Sequence, residues 1–260
     1  MSHPTPIAIE FRNVEYRITP DRLLLDRLSL QVHTGETLML LGRSGSGKTT
    51  CLKTINRLIE PTAGEVRVNG KSLTEWDIIR LRRSIGYAIQ DVGLFPHYSV
   101  RKNVALVPRL ESWERSRMDA RVEEVLTLVG LPLQEFADRY PNELSGGQRQ
   151  RVGLARALAA DPPILLMDEP FGALDPITRA QIQLEFRKLQ ERLRKTVVFV
   201  THDVGEALLL GDRIALMDSG RLRGVYPREE FRRADDELVK SYMEVVVTGQ
   251  QLLRSQEASM

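Results

Sequence analysis

The chain has 260 residues, 42% of them apolar and 28% charged, proportions that exclude a disordered polypeptide and allow a large core. Lys and Arg number 37 against 35 Asp and Glu, so a net charge of +2 makes no electrostatic case for nucleic acid as the main partner. One cysteine, Cys51, excludes a disulfide-stapled scaffold, and no apolar run approaches the roughly 18 to 20 residues that span a bilayer. The length predicts one domain carrying a sizeable insertion. The opening MSHPTPIAIEFRN has neither a basic nor an apolar leader segment, so a cytosolic chain is expected.

In chain order, Ile7, Ile9 and Phe11, then Val14, Tyr16 and Ile18, then Leu28, Leu30 and Val32 alternate with polar residues, the period of half-buried strands. Val66 and Val68 precede Asn69-Gly70, a pair that tolerates the positive φ of a tight hairpin turn. An antiparallel layer is therefore expected in the first 75 residues. Embedded in it, residues 37–41 read as a continuously apolar strand, followed by a Gly/Ser loop. A helix from about Lys48 comes next, with Cys51, Leu52, Ile55 and Leu58 on one face. Residues 75–160 read as mostly helical, with amphipathic stretches at 113–128 and 148–160, and form the expected insertion. Residues 164–167 and 197–200 are short apolar runs suited to central parallel strands, and Asp175-Pro176 between them begins a helix. Strands alternating with helices predict an α/β fold on a parallel sheet.

Gly42-Arg43-Ser44-Gly45-Ser46-Gly47-Lys48-Thr49 fits G-x-x-x-x-G-K-[ST] between an expected strand and an expected helix. Its glycines let backbone N–H groups curl around phosphate oxygens, and the helix N-terminus turns a partial positive charge toward the same anion. Lys48 is placed for the β- and γ-phosphates, the Thr49 hydroxyl for Mg²⁺, and Thr50 closes the expected nucleotide-contacting run. Asp168 and Glu169 follow the apolar run 164–167: Asp168 to hold the metal, Glu169 to polarise an attacking water. A Gly-rich turn or an acidic pair alone would be ordinary surface structure; together they make nucleoside triphosphate hydrolysis the leading reaction.

Leu144-Ser145-Gly146-Gly147-Gln148 then identifies a branch, because with the preceding features it resembles the signature of ATP-binding cassette (ABC) ATPases. Ser145 can cap a helix whose first amides, kept open by Gly146 and Gly147, face a phosphate. Gln90, Asp175 in Ala-Leu-Asp, and His202 in Thr-His-Asp follow the family's order as glutamine loop, dimer-interface loop and switch histidine. The resemblance implies a P-loop NTPase core with a parallel sheet, an antiparallel β subdomain and a helical subdomain at about 91–160. It places the cassette in residues 1–226 and a short helical extension in 227–260. It further implies ATP and Mg²⁺ as ligands, with Thr49, Gln90 and Asp168 at the metal and Glu169, His202, Gln90 and Lys48 in catalysis. Two copies would sandwich ATP, Ser145 and Gly147 of one closing on the γ-phosphate held by Lys48 of the other.

Such a cassette would sit peripherally on the cytoplasmic side of the inner membrane, with separate permease subunits and an extracytoplasmic solute-binding protein. Residues 85–97, 103–109, 139–144 and 159–163 are similar to the ATPase subunits of osmoprotectant importers, which carry quaternary amines such as glycine betaine, choline and carnitine. Import of another small polar solute, such as an amino acid, is the alternative. A non-transport cassette acting on DNA or the ribosome and a phosphoryl-transferring kinase are the further ones; a kinase has no use for residues 144–148. Ile18 occupies the position where this family commonly stacks an aromatic on adenine, which predicts a weaker base contact. The stretch after Tyr226 is too short for the tandem regulatory module that several such ATPases carry, so none is expected.

Overall fold

The computed structural model describes residues 5–89, 92–172 and 174–244. β1 (Ile7–Thr19) and β2 (Arg22–His33) pair antiparallel, and β1 pairs on its other side with β4 (Ala63–Val68), so that Ile9 stands opposite both Val32 and Val68. Asn69 and Gly70, at φ 51° and 74°, turn β4 into β5 (Lys71–Ser72). A tight two-residue hairpin needs positive φ at both central positions, and these two residue types supply it. The result is the expected antiparallel layer, in the order β2-β1-β4-β5.

The second sheet has six strands in the order β10-β9-β3-β8-β7-β6. Its parallel members are β3 (Thr37–Leu41), β6 (Ile85–Ala88), β7 (Ile164–Asp168), β8 (Thr196–Thr201) and β9 (Arg213–Asp218). β10 (Arg221–Pro227) adds an antiparallel edge. The central strands are continuously apolar because both faces are covered. Leu38, Leu40, Leu166, Val198 and Val200 pack toward the antiparallel layer and α1 (Lys48–Ile55). Met39, Leu41, Leu165, Met167, Val197 and Phe199 face the opposite way, into a core shared with the helices. There Phe171, Phe186 and Phe199 form a tilted aromatic cluster with ring centroids 5.6 to 6.3 Å apart.

After β5 the chain runs through α2 (Ile78–Arg83) into β6, and the helical portion then comprises α3 (Val100–Val104), α4 (Leu106–Leu110), α5 (Arg115–Leu128), α6 (Leu133–Phe136) and α7 (Gly146–Leu158). α8 (Pro176–Leu193) begins as expected, with the Asp175 side chain accepting from Thr178 N at 3.0 Å and Pro176 in the first turn. α9 (Val204–Leu210) follows β8, and α10 (Arg228–Phe231) with a helical stretch at 237–244 follows β10. Phe231 and Val239 bury that C-terminal part against the helix-side core. Among the described residues no helix is long and apolar enough to cross a membrane.

Three details depart from the sequence reading. β6 lies inside the stretch read as mostly helical; it is four residues long and contains Gly86, too short to show a period. β9 and β10 form a hairpin that the sequence reading does not include; β9 is a brief, continuously apolar run that also pairs with the distant β3. Leu58 does not share the buried face of α1: the helix ends at Ile55, Arg57 turns left-handed at φ 54°, and Leu58 is 48% exposed. The aromatic cluster yields an expected outcome. Phe199→Ala removes a fully buried ring and should cost about 3 to 5 kcal/mol in urea unfolding.

Candidate nucleotide site

The loop between β3 and α1 owes its shape to glycines. Gly45 and Gly47 sit at φ 79° and 96°, and a Cβ on Gly47 would come within 2.7 Å of the Leu24 carbonyl oxygen. Only glycine meets both the left-handed backbone and this close approach. Lys48 is 5% exposed, and its ammonium donates to the carbonyl oxygens of Gly42 at 2.8 Å and Arg43 at 2.9 Å. The loop thus curls around its own cation. Burial pulls that ammonium below the usual lysine range, opposed by the nearby Glu169 and Asp168 carboxylates.

The end of β7 supplies those carboxylates. The Thr49 hydroxyl donates to Asp168 Oδ1 at 2.9 Å, joining the start of α1 to the end of the strand. Burial raises the Asp168 carboxyl above the usual carboxylate range, and the Thr49 hydrogen bond works against this. Glu169 follows in the left-handed region at φ 45°, its amide donating to the Val200 carbonyl oxygen at 3.1 Å. A glutamate held there is strained, and the neighbouring strand fixes it. His202 Nδ1, from the turn after β8, lies 3.2 Å from Glu169 Oε2.

These groups converge on a cavity of about 550 Å³. Residues 44–50, Glu169 and His202 line it, together with Arg22 and Leu24. The sequence reading does not include the last two; they stand at the start of β2, whose backbone at Leu24 packs against Gly47 of the loop. Ile18 stands at the far end of β1, 51% exposed, outside the lining residues. Gly42 and Arg43 form the base of the loop through their carbonyl groups. Gln90 lies outside the described residues. The donor set suits Mg²⁺, which keeps several waters and takes one or two protein oxygens beside substrate phosphates. Thr49 and Asp168 provide such a pair of hard oxygens, and the hydroxyl can donate to the carboxylate while turning a lone pair to a metal.

Leu144 to Gln148 lie elsewhere. Leu144 is buried, while Ser145 caps α7: its Oγ accepts from Gln148 N at 3.2 Å, and Gln148 Oε1 accepts from Ser145 N at 2.8 Å. This reciprocal cap leaves the first-turn amides of Gly146 and Gly147 without intrahelical acceptors. Ser145, Gly146, Gly147, Gln148 and Asp175 line a cavity of about 480 Å³ that shares no residue with the first. One chain therefore holds two separate cavities, one lined by the Lys48 loop and one by the start of α7 together with Arg151.

A helix N-terminus of this kind and a lysine-centred loop, on an α/β sheet with an added antiparallel layer, define an ABC cassette. The chain belongs to the ABC transporter family, whose model matches residues 25–172. It is 47% identical over 236 residues to a choline transport ATP-binding protein of Bacillus subtilis, covering 90% of this chain and 62% of that protein. It is 50% identical over 220 residues to an osmoprotectant import ATP-binding protein of Salmonella typhimurium, covering 84% of this chain and 58% of that one. This chain thus spans about three fifths of the length of these relatives. The dimeric, post-hydrolysis structure of the ATP-binding cassette MJ0796, bound to ADP and Pi, superposes with a TM-score of 0.77 at 35% identity. The match covers 85% of this chain and 98% of that one.

Asp168 provides a test of the site's electrostatics. Its folded-state affinity for a proton exceeds the unfolded one, so its charge costs stability, a cost that fades as pH falls from the raised folded value toward the ordinary carboxylate range and is gone below it. Asp168→Asn keeps an acceptor for Thr49 and should raise the apo melting temperature. The same variant should abolish the stabilisation that Mg²⁺ with nucleotide gives, both read by thermal unfolding.

Proposed function

We propose that this chain is the ATP-hydrolysing subunit of an importer for an osmoprotectant, a quaternary amine such as glycine betaine or choline. The observation that carries the enzymatic part is the convergence of Lys48, Thr49 and the Glu169–His202 pair on one cavity, with Asp168 hydrogen-bonded to Thr49. The solute class is supported by the relatives, which are choline and osmoprotectant transport ATP-binding proteins. The cassette occupies residues 1–226, with a helical portion at about 91–160 and an extension in 227–260.

In this reading ATP lies with its phosphates against the amides of residues 44–50 and the Lys48 ammonium. Thr49 and Asp168, with Gln90, hold Mg²⁺, which when bound neutralises phosphate charge. Glu169 accepts the proton of the attacking water as its oxygen bonds to the γ-phosphorus and the bridging P–O bond to ADP breaks. His202 is oriented through Nδ1 by Glu169, which leaves Nε2 for a γ-phosphate oxygen. Leu144 to Gln148 of a second copy complete the site, with Asp175 beside them. The separation of the two half-sites in one chain supports this, as does the dimeric cassette bound to ADP and Pi. Permease subunits and an extracytoplasmic binding protein complete the transporter, which the cassette drives from the cytoplasmic face of the inner membrane.

Glu169→Gln removes the base and keeps the shape. It should lower ATP turnover by at least about 100-fold and shift the ATP-loaded chain to a dimer in light scattering. Cells relying on the variant should lose glycine betaine uptake. Robust turnover by this variant would contradict the assignment.

A further inference from the structure

The helix that begins at Ser145 ends in a second built contact that the nucleotide chemistry does not use. Arg156, near the C-terminal end of α7, donates from Nη1 to the Gly93 carbonyl oxygen at 2.8 Å and from Nη2 to the Val92 carbonyl oxygen at 2.5 Å. One guanidinium fork therefore grips two consecutive peptide groups. Three residues earlier on the same helix, a Cβ on Gly153 would run into the Val92 side chain, so the absence of a side chain there is what lets the segment lie against α7. The segment continues into a loop that is itself stapled. The fully buried Asn103 accepts from Phe95 N at 2.8 Å and donates to the Phe95, Tyr98 and Ser99 carbonyl oxygens at 2.9 to 3.2 Å. On that loop Phe95, His97 and Tyr98 cluster with ring centroids 4.5 to 6.0 Å apart, and Phe95 is 41% exposed.

We propose that Arg156 is a positioning residue that locks residues 92–98 to α7, so that this loop follows any displacement of Ser145 at the other end of the helix. Eleven residues of α-helix separate the two, roughly 16 Å of rigid rod. A rod moves both ends together only if each end is fastened, and the fork with the Gly153 contact is the fastening. Lysine cannot replace it, because a single ammonium does not offer two parallel N–H groups to adjacent carbonyls. The inference rests on the reading that ATP brings a second copy onto Ser145.

Amide hydrogen exchange on the full chain in the Glu169→Gln background, with and without ATP and Mg²⁺, tests this. The parent should show ATP-dependent slowing at residues 145–148 and a several-fold ATP-dependent change in peptides covering 92–98. Arg156→Lys should keep the first response and lose the second, with a melting temperature close to the parent's. Gly153→Ala, which pushes Val92 away while leaving Arg156 in place, should do the same and serves if the lysine variant does not fold. Full retention of the 92–98 response in the folded variants would overturn the role of Arg156. Absence of the 145–148 response in the parent itself would instead sink the ATP-sandwich reading beneath it.

Discussion

Lys48 carries a positive charge on a side chain that is 5% exposed at the wall of the nucleotide cavity, and the surrounding chain is organised by that fact. Its ammonium is held by the Gly42 and Arg43 carbonyl oxygens, and the Ser46 amide donates to the Arg43 carbonyl oxygen at 3.2 Å, which together close the loop into a ring at the start of α1. The loop keeps this shape only because Gly47 tolerates contact with the β2 backbone, so the antiparallel layer is part of the phosphate site as well as a cover for the sheet. Asp168 and Glu169, at the end of the adjoining parallel strands, supply the opposing charge. Desolvation raises the electrostatic stakes of every group here, and each buried charge has a partner whose position the sheet sets.

The second half-site follows a different rule. At Ser145 the protein offers a capped helix start with two glycine amides left without intrahelical acceptors, and Arg151 lines the same cavity. Such a site gains strength when another surface brings a phosphate to it and excludes water. Under the proposed function, dividing the grip on one triphosphate between a charged loop and a helix end on separate surfaces would make binding and association the same event. That is how a soluble ligand can do mechanical work on a neighbouring subunit.

Local chemistry was readable in the sequence, and long-range geometry was not. The phosphate loop, the Asp175 cap and the Asn69-Gly70 turn depend on residues within a few positions of each other, so their composition is enough. The Glu169–His202 pair could be named residue by residue from the family resemblance, but its 3.2 Å contact exists only because β7 and β8 are neighbours. β6, four residues long, is too short to reveal a period and is a strand because of the sheet it joins. Arg22 and Leu24 reach the cavity because β2 packs against the Gly47 loop, and the Arg156 fork joins residues more than sixty positions apart; no spacing rule encodes either. Ile18 shows the opposite limit: a position assigned by resemblance lies beside the site without lining it.

The shared grip can be measured without any membrane partner. Cys51 is fully buried, and its thiol is pushed well above the usual range by that burial, so introduced surface cysteines would be the reactive ones. Ser44→Cys and Ser145→Cys, each in the Glu169→Gln background, should be mixed and treated with a short bis-maleimide. The account requires a cross-linked heterodimer that forms in the mixture with ATP and Mg²⁺ and is absent without nucleotide. No ATP-dependent product in the mixture would contradict it, as would a doubly substituted chain that links only to itself.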